Sequence, residues 1–161
     1  MVKTGIVPGL LLSLLTAVTV CPAPQQPPRE FFGIRPGMAE EVVHRRLRKI
    51  ASQEKEKKEE EEAGEGGEQE VWILKRDSRY KYLITKFNRE HRLSWLTVVA
   101  QPQRVRYADI ASLDLATKAT DGINYSYKWK LEASKQHPAS LIIARGSSPE
   151  FLTSYSVYHS R

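Results

Sequence analysis

Four histidines, one cysteine and a run of carboxylates carry most of the reactive or metal-binding chemistry of this 161-residue chain. His44, His91, His137 and His159 are scattered, and none stands with another His, Cys, Asp or Glu in a recognised zinc-ligand spacing. No Gly-x-Ser-x-Gly elbow presents a nucleophile, and "ARGSSPE" (144–150) reads as a turn, not as a glycine-rich phosphate loop. Carboxylates run together in "EKEKKEEEEAGEGGEQE" (54–70). A segment of that composition is too mobile to hold the shifted carboxyl that general acid–base catalysis requires, and reads as solvated. No catalytic residue, metal or cofactor is assigned, and the chain is expected not to be an enzyme.

Cys21 has a different chemistry. As the sole cysteine it has no internal disulfide partner. It ends an apolar run from Ile6 to Val20 that Lys3 precedes and "PAPQQPPR" follows. That run is shorter than the roughly 20 residues a bilayer span takes. A basic start, a short apolar core and then small and Pro-rich residues make 1–21 an export signal of the bacterial type. "VTVC" resembles a lipobox, in which the cysteine is lipidated, although Val20 stands where a small residue is usual. Cleavage near Ala23, to give a soluble periplasmic form, is the rival fate, and an uncleaved leader is a third. Residues 22–30 form a stiff, extended tether. The expected location is the periplasmic side of the cell envelope, at the outer membrane if Cys21 is an anchor.

The net charge is +6, which favours an anionic partner or surface. Residues 54–70 hold nine Glu against three Lys, a local charge of −6, so the rest of the chain carries +12. "YSYKWK", "KRDSRYKY" and "RVRY" interleave cations with aromatics. In single-strand nucleic-acid binding, bases stack on such aromatics, but export argues against a nucleic-acid partner. Strand alternation instead sends the aromatics inward and the cations outward. Lys128 and Lys130, with Lys81 or Lys86 from another strand, form the candidate basic face. It would meet an acidic envelope protein, anionic lipid head groups or a cell-wall polymer.

These residues need elements to place them. A helix starts near Met38, with Met38, Val42, Leu47 and Ile50 on one stripe that Val43 and Ala51 widen. Glu40 and Glu41 near its start, and Arg45, Arg46, Arg48 and Lys49 toward its end, suit the helix dipole. A low-complexity acidic loop covers 53–70. The period then changes to two. "VWILKR", "YKYLITKF" and "RLSWLTVVA" read as strands, the last two joined in a hairpin across Asn88 to His91. "YADIASLDLATKATDG" reads as a second helix that stops at Gly122. "YSYKWKLEA", "SLIIAR" and "LTSYSVYHS" are three more strands. The expected fold class is α+β: one domain over 31–161, an antiparallel sheet of about six strands, and two helices on one face in an αβββ-αβββ pseudo-repeat.

"FFGIRPGMAEEVVHRRL" (31–47) resembles the opening element of the SmpA/OmlA (BamE-like) family of small outer-membrane lipoproteins, through Ile34, Gly37, Met38, Glu41, Val42 and Leu47. The same element recurs in the beta-lactamase inhibitor protein, whose helix-plus-sheet fold is related. Ala39 departs from the usual Ser or Thr cap, and the second half of the chain carries no family signature. The resemblance implies a non-catalytic envelope protein, an accessory or scaffold that binds through its open sheet face. The alternative is a soluble periplasmic inhibitor-like or ligand-binding module, with an uncharacterised hydrolase behind it. Nothing in the sequence specifies oligomeric state.

Overall fold

The computed structural model describes residues 25–54, 69–75, 77, 79–135 and 137–159. The leader, Cys21 and most of the acidic segment lie outside them.

Helix α1 spans Glu40–Ile50 and leads into strand β1, Ala51–Glu54. Strands β2 (Gln69–Leu74), β3 (Tyr80–Phe87) and β4 (Leu93–Ala100) follow. A one-turn helix α2 (Tyr107–Ile110) and a 3-10 turn (Leu113–Leu115) precede β5 (Thr117–Thr120), β6 (Tyr125–Leu131), β7 (Ser140–Gly146) and β8 (Ser154–His159). All eight strands form one sheet in the order β1-β2-β3-β4-β8-β7-β6-β5, and every pairing is antiparallel. Two four-stranded meanders therefore meet where β8 pairs with β4.

The expected arrangement of six strands with two substantial helices is overturned. The molecule is chiefly one eight-stranded sheet, and both additional strands come from segments read as helix or loop. Ala51, placed on the helix stripe, is extended at φ −139° and pairs with Leu74. Beyond Ile50 the apolar stripe of α1 runs out into Ser52, Gln53 and Glu54, so further helix buries nothing. Pairing with β2 instead satisfies backbone groups that an edge strand would leave open. Gln53 and Glu54 thus leave the expected acidic loop for β1, and Gln69 and Glu70 leave it for β2.

The second helix stops after one turn for a related reason. Only Tyr107 and Ile110 of α2 are buried, too little to offset the cost of a longer helix. Downstream, β-branched Thr117 and Thr120 favour strand. The Asp121–Gly122 pair, read as a helix stop, instead makes the β5–β6 turn. Gly122 sits at φ +91°, and Asp121 Oδ1 accepts from the Ile123 and Asn124 amides at 3.1 and 2.7 Å.

One face of the sheet is lidded. Val43 and Leu47 of α1, Tyr107 and Ile110 of α2, and Phe31 and Ile34 before α1 share one core with Trp72, Leu83, Phe87, Leu96, Val98, Trp129, Ile142, Tyr155 and Val157. The Phe31–Ile34 element is a hairpin turn with φ of +52° and +71° at Phe32 and Gly33, the positive pair of a type I′ turn. Its Phe31 ring lies 5.5 Å from Tyr80 and 4.9 Å from Tyr155. Residues 25–30, expected to belong to an extended tether, instead lie on the domain. The Tyr155 hydroxyl donates to the Pro28 carbonyl at 2.8 Å, and the Ser112 amide donates to the Gln25 carbonyl at 2.9 Å.

Candidate functional site

Alternation and register assign the opposite face residue by residue. One row across it runs Gln69, Lys86, Trp95, Tyr158, Leu141 and Lys130. The next runs Val71, Ile84, Thr97, Ser156, Ile143 and Lys128, and the third Ile73, Tyr82, Val99, Ser154, Arg145 and Ser126. The first row is aromatic and aliphatic at its middle, while the middle row is centred on Thr97 and Ser156, whose hydroxyls lie 2.7 Å apart. Trp95 and Tyr158 are half-buried neighbours with ring centroids 6.2 Å apart.

The cations lie at the sides. Lys86 stands on β3, and Lys128, Lys130 and Arg145 stand on β6 and β7. Four strand spacings separate β3 from β6, about 19 Å at roughly 4.8 Å each. Three of the four expected contact lysines thus share one face, in two groups that flank an aromatic centre. Lys81 falls at the register irregularity between Tyr80 and Tyr82, off the rows, with Nζ 4.8 Å from the Tyr82 ring centroid.

The central aromatics were not assigned to a site from sequence. Strict alternation would put Leu93 on the same face as Trp95, Thr97 and Val99, but a register shift between Lys86 and Phe87 separates it from them. Leu93 goes to the core at 1% exposure and Trp95 to the open side. The inward reading of Tyr127 and Trp129 matches the structure: both are buried, with rings 6.3 Å apart. They fill the core and do not line a pocket. A surface depression of about 470 Å³ lies beside Phe32, Ile50 and Leu74, and one of about 660 Å³ adjoins the third row of the open face at Ser126, Arg145 and Ser154.

A second polar constellation lies under α1. The helix start is pinned to the β3–β4 turn, where the Glu40 amide donates to the His91 carbonyl at 2.9 Å and the Leu93 amide to the Met38 carbonyl at 2.8 Å. That backbone contact serves where Ala39 offers no side-chain cap. It sets His44 over the sheet, with its ring 5.6 Å from Trp72 and 5.5 Å from Phe87. His44 Nε2 is 2.8 Å from Glu70 Oε2 and 3.9 Å from Glu40 Oε1. Glu70, read as part of a solvated loop, is only 5% exposed. Its carboxylate also accepts from Gln53 Nε2 and Trp72 Nε1, both at 3.0 Å. His91 Nδ1 lies 2.7 Å from the remaining oxygen of Glu40. The sequence signal for this cluster is the i, i+4 pair Glu40 and His44, which the helix-dipole reading absorbed. Glu70 is 26 residues farther on, and only the fold brings it there.

Among the described residues, no helix is long and apolar enough to cross a membrane. Comparison with known proteins finds no matching family model, no matching curated protein and no matching solved structure.

Proposed function

We propose that this chain is a non-catalytic binding protein of the bacterial cell envelope, exported and held at the membrane through Cys21, whose open sheet face grips an acidic protein surface. The observation that carries this reading is the row Lys86–Trp95–Tyr158–Leu141–Lys130, an aromatic and aliphatic centre between cationic ends. Half-buried aromatics supply area at low entropic cost, and flanking cations supply orientation and encounter rate. The leader sequence and the resemblance of residues 31–47 to envelope lipoproteins support the location.

A photo-cross-linking residue at Thr97, on the open face, tests the surface against the same residue at exposed Arg45 on α1. In envelope extracts, Thr97 should give a discrete adduct that fades with salt and disappears in Lys86→Glu/Lys128→Glu/Lys130→Glu. Adducts from Arg45 instead, or adducts indifferent to charge reversal, would overturn the assignment. Cys21→Ser should move the protein from the membrane to the soluble fraction; unchanged fractionation would eliminate lipidation.

A further inference from the structure

We infer that Glu40, His44 and Glu70 form a binding site for a single zinc ion, seated between the first turn of α1 and the β1–β3 end of the sheet. The nearest donor atoms of the three side chains all lie within 4.8 Å of one another. Ligands about 2.1 Å from a tetrahedral zinc stand roughly 3.4 Å apart. The two measured separations, 2.8 Å from His44 Nε2 to Glu70 Oε2 and 3.9 Å to Glu40 Oε1, bracket that value. The two His44 separations therefore need adjustments of about half an ångström each to admit an ion, and the Glu40–Glu70 separation lies within 4.8 Å. The ion takes the place of the hydrogen shared by His44 and Glu70, which leaves Nε2 when the metal arrives, because a ligating imidazole nitrogen must be unprotonated.

The donor set selects the metal. One imidazole and two carboxylates suit zinc, whereas calcium takes roughly six to eight oxygens and magnesium prefers oxygen and water ligands to imidazole. The two carboxylates balance the charge of the ion. Outer partners hold the ligands in place, as in established metal sites. Gln53 Nε2 fixes the Glu70 oxygen that does not face His44, and His91 Nδ1 fixes the Glu40 oxygen that does not face the centre. The Trp72 and Phe87 rings wall the imidazole, and Trp72 Nε1 donates at 3.0 Å to the other lone pair of Glu70 Oε2, the oxygen that faces His44. Glu40 and His44 keep 22% and 18% exposure, which leaves an entry path and a fourth position for water. Occupied, the site clamps α1 onto β2.

The test uses the full, untagged chain stripped with chelator and titrated calorimetrically with zinc chloride alone. One ion per chain should bind in the micromolar range or tighter. At a hundred-fold excess over Kd, Tm should rise by roughly 5–10 °C. Calcium and magnesium chloride at the same concentration should change neither heat nor Tm. Glu40→Gln keeps the buried His44–Glu70 pair and should leave the metal-free Tm near wild type while weakening zinc by well over 100-fold, beyond the roughly 10–100-fold that loss of an outer partner costs. Glu70→Gln and His44→Asn should abolish the saturable heat. Absence of a one-to-one isotherm in the wild type, or zinc binding by Glu40→Gln at wild-type strength, would overturn the site whether or not the buried variants fold.

Discussion

Two tryptophans on opposite faces of the same sheet provide the sharpest test of its two-sided character. Trp129, on β6, is 1% exposed and its Nε1 donates to the Ser112 carbonyl at 3.1 Å. Trp129→Ala removes a large buried ring, a change that costs about 3–5 kcal/mol in typical cores. The orphaned Ser112 carbonyl adds about 1 kcal/mol, so the expected loss is about 4–6 kcal/mol. Trp95, on β4, is half-buried, and its principal ring neighbour is Tyr158 across the strand pair at 6.2 Å. Trp95→Ala leaves a dent that water fills, not a cavity. It costs a cross-strand aromatic pair worth about 0.5–1 kcal/mol plus part of the ring's burial, in total about 1–2 kcal/mol. In urea unfolding, a slope near 2 kcal/mol/M places the Trp129→Ala midpoint about 2–3 M below wild type and that of Trp95→Ala less than about 1 M below. Comparable losses from the two substitutions would mean that both faces are packed, and the open face would cease to exist as a binding surface.

Two further outcomes follow from the lidded side. Burial pushes the Tyr107 phenol up to about 12 and raises Tyr80 and Tyr155 as well. A folded-state value above the unfolded one gives stability that is complete below about pH 10 and lost as pH climbs from there through about 12 for Tyr107. The slope reaches about 1.4 kcal/mol per pH unit for each such tyrosine. Phenolate absorbance from Tyr80, Tyr107 and Tyr155 should therefore rise only together with loss of the sheet signal. Ionisation of these three while the fold persists would contradict the burial. Tyr155→Phe removes the bond to the Pro28 carbonyl. It should cost about 1 kcal/mol and speed amide exchange in residues 25–34 while β3, β4 and β8 stay protected; unchanged exchange there would show that this bond does not hold the segment.

Six of the eight strands were legible: β2, β3, β4 and β6 alternate because burial falls chiefly on one face, and β7 and β8 are short apolar or aromatic runs bounded by turn residues. In β6, Tyr127 and Trp129 go inward while Lys128 and Lys130 go outward. Helix α1 was legible because Val43 and Leu47 recur at helical spacing beside charges that suit its ends. What failed was tertiary in origin. β5 exposes all four residues, so no burial pattern marks it, and only the backbone of β6 explains its extension. β1 owes its strand to the edge of β2 in the same way. The shift at Phe87, which separates Leu93 from Trp95, is a local irregularity that side-chain types do not encode. Glu70 was misread because an acidic neighbourhood hides a single carboxylate whose partners, His44, Gln53 and Trp72, come from three elements.

The edges of the sheet bear on how a partner would attach. An open sheet offers either an edge, to which another chain adds a strand, or a face, onto which it packs. Both edges here are short, four residues each in β1 and β5. β5 is fully exposed, and its Lys118 ammonium stands 5.9 and 5.8 Å from the Tyr125 and Tyr127 ring centroids. β1 ends at Glu54, where the chain enters the acidic run. Short, charged edges of this kind discourage strand addition. The long central strands β3 and β4, eight residues each, and their neighbours β8 and β7 carry the apolar area. Cations on both flanks oppose docking of a second copy in the same orientation, lysine against lysine, and favour a surface of opposite sign. Binding therefore falls to the face, and the substitutions that decide it are Trp95, Tyr158, Lys86 and Lys130 in one row, not residues at either edge.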